Sequence, residues 1–290
     1  MGKANIDRLL DDIVTLPSAP TVLVKVTQMI DNPSASFKNL AETISADPSI
    51  SMKVLRLVNS AYYGVRQRVG SLEHAISLLG LKVVKNLVLT ATVFRTFSSA
   101  PPGEEPLFER EQFWLHCVGT GIVARMLARS APSGVGVDPE EAFAAGLLHD
   151  VGKIILEQHL HKQFQQALEE SAASGVPLYV CEKNTIGVNH AQIGAKLAER
   201  WKLPEELVRA ISHHHPPADE DTIPYCAALV NLADYICYAK EIGRGDPAGS
   251  AKLAMIAWDN SGFKKTDIPK IMSEVRESGK SAVELLSAAH

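Results

Sequence analysis

The chain has 290 residues, 46% hydrophobic and 21% charged, the balance of a globular protein long enough for one large domain or two ordinary ones. Its net charge of −4 is uneven. Residues 1–100 carry 11 Lys and Arg against 7 Asp and Glu, and this basic surplus is too small to argue for nucleic-acid binding. Cys117, Cys181, Cys226 and Cys237 are scattered without a C-x-x-C pair, which argues against a structural zinc cage and for reduced thiols in the cytoplasm. No basic segment leading into an apolar run opens the chain, and no apolar run is long enough to span a bilayer, so neither a signal peptide nor a membrane partner is expected.

Apolar residues recur at three- and four-residue intervals almost throughout, which predicts an all-α fold. Ile6, Leu9, Leu10 and Ile13 mark a short amphipathic helix that Pro17 and Pro20 break. Helices are expected over Thr21–Ile30, over Phe37–Ser45 with Ser36 as cap, and over Ile50–Asn59 with Asp47 as cap and Pro48 at the first helical position. Asn32-Pro33-Ser34 reads as a turn between the first two. Leu72–Leu79 and Leu81–Phe97 follow, separated by Gly80. The Pro/Gly/Ser-rich stretch 98–106 reads as a linker, so the expected modules are 1–100 and 101–290.

In the second module, helices are expected over Phe108–Leu127, Pro139–Leu148, from Gly152 onward, over Lys162–Ala173, Leu178–Ile186, His190–Trp201, Glu205–Ser212 and Pro224–Lys240. Pro132–Val137 reads as a loop. Two more helices are expected over Ala248–Ile256 and Pro269–Ser287.

The stretch Ala144–Leu156 is almost wholly apolar, yet it holds His149, Asp150 and Lys153. Burying an imidazole and a carboxylate there is costly unless a metal ion or a fully satisfied hydrogen-bond network holds them. Further scarce polar residues recur in apolar surroundings of the same module: His116, His190, His213, His214 and Asp234. Any one of these histidines reads as a core residue as readily as a ligand; as a set they point to a metal site. Mixed imidazole and carboxylate donors suit iron, manganese or zinc. Two such ions sharing a carboxylate would generate hydroxide for phosphoester cleavage, and Lys153 would then hold a phosphate oxygen. His74, His159, His161 and His290 read as surface residues, and His215, followed by two prolines, as loop.

The second module resembles the HD superfamily of metal-dependent phosphohydrolases, with His116, His149, Asp150 and Asp234 at its H…HD…D positions. His190 and His213-His214 resemble the additional positions of binuclear members such as the HD-GYP cyclic-di-GMP phosphodiesterases, and Lys153 the lysine of their HD-x-G-K segment. No Gly-Tyr-Pro follows His213-His214, which speaks against cyclic-di-GMP as substrate. A closer resemblance, over roughly residues 10–240, is to HDOD domains of bacterial signalling proteins. It is carried by Leu16-Pro17 with Pro20, Asp47-Pro48-Ser49-Ile50, Val54 to Gly64, Ala75 to Gly80, Gly146 to Lys153, and Trp201 to Pro204.

That resemblance implies a helical HDOD module followed by an HD-type helical domain. It also implies regulation through a signalling protein partner rather than catalysis. The retained metal positions imply one or two divalent ions and leave open an active phosphohydrolase on a nucleotide or cyclic nucleotide, with Asp150 bridging and Lys153 on phosphate. A third reading takes Leu40 to Asn59 as a helix-turn-helix with Lys53 and Arg56 toward DNA; a packed helical hairpin is preferred, because the basic surplus is small. Arg66, Arg68, Lys82 and Lys85 form a loose basic group whose default reading is a solvated face.

Overall fold

The computed structural model describes residues 16–30, 36–97, 106–131, 136–216, 222–244 and 253–289, and these contain helices and no strand. The predicted helix at Ile6–Ile13, the turn at Asn32–Ser34, the linker core at 98–105, most of the loop 132–137 and His290 lie outside the described residues. Among the described residues no helix is long and apolar enough to cross a membrane.

The described residues fall into two units: residues 18–97 with 279–289, and residues 16–17 with 106–278. The first holds α1 (Thr21–Ile30), α2 (Phe37–Ser45), α3 (Pro48–Val58), α4 (Leu72–Leu79) and α5 (Leu81–Thr96). Local chemistry sets these boundaries. Ser36 Oγ accepts from Asn39 N at 3.1 Å, Asp47 Oδ1 from Ile50 N at 3.1 Å and Ser71 Oγ from His74 N at 3.2 Å, each satisfying a donor that the first turn leaves open. α5 is apolar on nearly every side and buries Val84, Leu87, Val88, Ala91, Val93 and Phe94. The amphipathic helices α1, α3 and α4 pack around it.

The second unit is built on α6 (Arg110–Ser130), which buries Phe113, Trp114, Cys117, Val118, Val123 and Leu127. α7 (Pro139–Leu148) and α13 (Tyr225–Ala239) pack on it. Between these come α8 (Val151–His159), α9 (His161–Ser174), α10 (Leu178–Thr185), α11 (His190–Arg200) and α12 (Glu205–Ser212). Trp201, fully buried, donates Nε1 to Pro17 O at 3.0 Å and ties the chain before α1 to this unit.

The expected helix over Ala248–Ile256 is corrected. In its described part the chain turns helical only at Met255, and α14 runs Met255–Ser261. The reason is visible at Ala254, whose backbone is extended and whose N–H is taken by Asn231 Oδ1 at 3.1 Å. α15 (Ile268–Ala289) is a single helix whose residues up to Ser278 belong to the second unit and those from Gly279 to the first.

Candidate metal centre

His149 and Asp150 occupy the two-residue junction between α7 and α8, so both side chains leave the backbone where one helix ends and the next begins. Two glycines bring that junction deep into the unit. A Cβ on Gly146 would lie 2.7 Å from Gly121 backbone atoms, and one on Gly152 would run into His190 O. Only hydrogen at these positions lets α7 lie against α6 and α8 against the start of α11. The second contact carries His190 to the His-Asp pair.

Two groups of donors converge there and share Asp150: His116, His149 and Asp150 on one side, Asp150, His190, His214 and His215 on the other. Within each group the donor atoms lie within 4.8 Å of one another. Asp150 divides its oxygens between them. Oδ2 is 3.3 Å from His149 Nε2 and 3.9 Å from His116 Nε2; Oδ1 is 3.2 Å from His190 Nε2 and 3.9 Å from His214 Nε2. Asp234 joins the first side, its Oδ1 3.0 Å from His116 Nε2 and 3.9 Å from His149 Nε2. Lys153 Nζ donates to Asp150 Oδ2 at 2.7 Å.

The outer shell fixes how the rings present themselves. His149 Nδ1 faces Gly146 O at 2.7 Å and His214 Nδ1 faces Ile211 O at 2.6 Å. A carbonyl only accepts, so both Nδ1 atoms carry hydrogen, and in the neutral rings Nε2 turns a lone pair toward Asp150. Glu182, fully buried, accepts from the backbone N–H of His190 at 2.8 Å and bonds its Nδ1 at 2.7 Å. His149 Nε2, His214 Nε2 and Asp150 Oδ1 are all buried with no hydrogen-bond partner. Three buried lone-pair atoms left without partners at one point are costly unless a cation completes them. His190 Nε2 and His215 Nε2 also face each other at 3.1 Å, an arrangement that needs a proton or a cation between them. The residues present fit a metal ion.

Electrostatics agree with that fit. Burial acts against ionising Asp150 and Asp234, yet the imidazoles and, at Asp150, Lys153 hold both carboxyls below the usual carboxylate range. Burial beside two other imidazoles pushes His214 down to about 3, so it stays the neutral ring that a metal requires. His215 is lowered for the same reasons.

Of the residues expected at the site, His116, His149, Asp150, His190, His214 and Asp234 are brought together, and Lys153 reaches them through Asp150. His213 is not. Its Nδ1 lies 3.0 Å from Arg209 O and 2.6 Å from Ser212 Oγ at the end of α12. His215, expected in a loop, takes a place in the cluster instead, stacked on Tyr179 at 4.5 Å between ring centroids. Sequence reasoning also passed over Glu182 and Asn231. Asn231 is buried on α13 and donates to His214 O at 2.9 Å. Glu182 left no signal beyond a carboxylate in an otherwise apolar helix start; Asn231 lies three residues before Asp234, on the same helix face.

Comparison with known proteins places this geometry. The model of the HDOD domain matches residues 16–217. An uncharacterized protein of Treponema pallidum (strain Nichols) is 30% identical over 223 residues, 76% of this chain and 42% of that protein. A ribonuclease Y of Thermus thermophilus is 32% identical over 131 residues, 45% of this chain and 18% of the enzyme. The chain thus spans less than half the length of these curated relatives. In structure, an HDOD domain protein from Geobacter sulfurreducens superposes with a TM-score of 0.79 at 21% identity, over 96% of each chain, and shares the fold. With its family model matched over most of its length, this chain belongs to the HDOD domain family.

Proposed function

We propose that this chain is a bacterial signal-transduction protein that acts through contacts with a partner protein and retains a two-ion centre of the HD type. The observation that carries the metal centre is the division of Asp150, with one oxygen toward each donor group and unpartnered buried atoms on both sides. In this reading His116, His149, Asp150 and Asp234 hold one ion and Asp150, His190, His214 and His215 the other, with iron, manganese or zinc as the metals the donor set suits. Bound there, such ions supply Lewis acidity and an activated water at neutral pH. The chain's own residues do the rest. The Nδ1 bonds of His149 and His214 and the Glu182 carboxylate hold the rings in register. Lys153 offsets the charge of Asp150, and the surrounding core of Leu147, Leu148, Ile154 and Ile211 keeps bulk water out. The regulatory half of the reading rests on HDOD membership.

A second reading, a phosphohydrolase acting on a nucleotide or cyclic nucleotide, is favoured by the completeness of the donor set and by the similarity to ribonuclease Y. Here Lys153 would share its charge between Asp150 and a substrate phosphate.

Elemental analysis of the purified protein and of Asp150→Ala tests the centre. Wild type is expected to hold one to two equivalents of iron, manganese or zinc, and the variant to lose most of it. Wild type that stays metal-free after anaerobic reconstitution would sink the proposal. Turnover of phosphodiester substrates, lost in the same variant, would separate the second reading from the first.

A further inference from the structure

The N-terminal unit has a concavity of its own, made from residues that the metal centre does not use. A cavity of about 610 Å³ opens beside the end of α3, with Met52, Leu55, Arg56, Asn59, Arg68 and Ala288 among its lining. Small-molecule sites commonly enclose about 300–1,000 Å³. Two features give the cavity a chemical preference. Its described lining holds two guanidinium groups and no carboxylate side chain. Over residues 18–99 nine Lys and Arg face four Asp and Glu, so the surrounding field is also positive.

The two arginines come from different elements, Arg56 from α3 and Arg68 from the segment after the 3₁₀ turn Ala61–Tyr63. A planar guanidinium offers paired N–H donors that match phosphate oxygens. Apolar side chains make another part of the wall: Met52, which is 60% exposed, with Leu55 and Ala288. A flexible thioether there suits the face of an aromatic ring.

The walls are held in place before any ligand arrives. Asn59 Nδ2 donates to Leu55 O at 2.7 Å and to Val69 O at 2.9 Å, while Val69 N donates to Asn59 Oδ1 at 2.8 Å. One side chain thus clips the Arg68 segment to the end of α3, which lowers the ordering cost of binding.

We propose that this cavity binds a small organic phosphate, with the phosphate on Arg56 and Arg68 and the organic body on Met52 and Leu55. The test is a calorimetric titration of the full chain with AMP, with adenosine and inorganic phosphate as probes that each lack one half. AMP is expected to saturate, and each half-probe to bind at least tenfold more weakly. Arg68→Gln, on an exposed segment, should weaken AMP at least tenfold. Ala288→Trp, which fills the cavity from another element, should do the same. The Asp150→Ala protein should bind AMP as wild type does, so failure of the metal centre and failure of this site remain distinguishable. No saturation by AMP at millimolar concentration would overturn the proposal. So would AMP binding that ignores both cavity variants, or binding that vanishes with Asp150→Ala.

Discussion

Three consecutive histidines at the end of α12 show how much one residue of register decides. His213 turns its Nδ1 back to Arg209 O at 3.0 Å, the usual fate of a side chain at a helix C-terminus, where carbonyls lack partners. His214 is wholly buried with its Nε2 3.9 Å from Asp150 Oδ1, and His215, past the helix, brings its Nε2 to 3.1 Å from His190 Nε2. The expected consequence is unequal. His215→Ala should lose about one ion equivalent, since it removes one of four donors on its side, whereas His213→Ala should keep the wild-type content. Elemental analysis of the two variants side by side checks this, and equal losses would contradict the assignment. The three residues have the same chemistry, so the choice among them is set by where α12 ends.

At the scale of elements, caps and buried helices carry the architecture. Asp47 both caps α3 and accepts from Arg95 Nη1 of α5 at 2.6 Å. Partial burial alone would raise its carboxyl, but the Arg95 bond and charge and the Ile50 and Ser49 N–H groups hold it below the usual range. A carboxylate with a depressed folded pKa adds stability above its unfolded pKa of about 3.9, and that stability is lost as pH falls through the folded value. Asp47→Asn keeps a good cap and removes the charge. Denaturant unfolding should therefore show the variant about 0.2–1 kcal/mol less stable at pH 7, the range of a partly exposed pair, with the gap closing in strong acid. A gap that persists at pH 2 would assign the effect to the cap rather than to the ion pair. Two helix starts were legible because Ser36 and Asp47 announce them. The start of α14 was not, because Asn231, more than twenty residues upstream, takes the N–H of Ala254.

For the whole molecule, ions held between them by side chains from α6, the α7–α8 junction, α11, the end of α12 and α13 would bind the folded chain and have no preformed site in the unfolded one. At 100 times its dissociation constant such an ion stabilises by about 2.7 kcal/mol. For a unit of this size that is about 5–10 °C in Tm. Stripping the metal with a chelator should lower the unfolding temperature by that amount and restoring it should recover the loss, as followed by calorimetry. An unchanged Tm in protein verified as stripped would mean that the cluster stands without an ion.

The all-α class was in the sequence, since a three-to-four-residue apolar rhythm leaves no long alternating face for a sheet. So were the kinds of donor: imidazoles and carboxylates inside apolar runs are expensive, and each one marks a place where something must compensate. Which donors meet was decided by the tertiary structure alone. Gly152 against His190 O, Gly146 against Gly121, and the end of α12 are contacts between residues distant in the chain or choices of a single residue in register. Glu182 is a further case, an acid with no distinguishing neighbours until folding sets it against His190 Nδ1. Periodicity reports what each helix must bury; only packing of one helix on another determines which polar atoms are left facing each other without a partner.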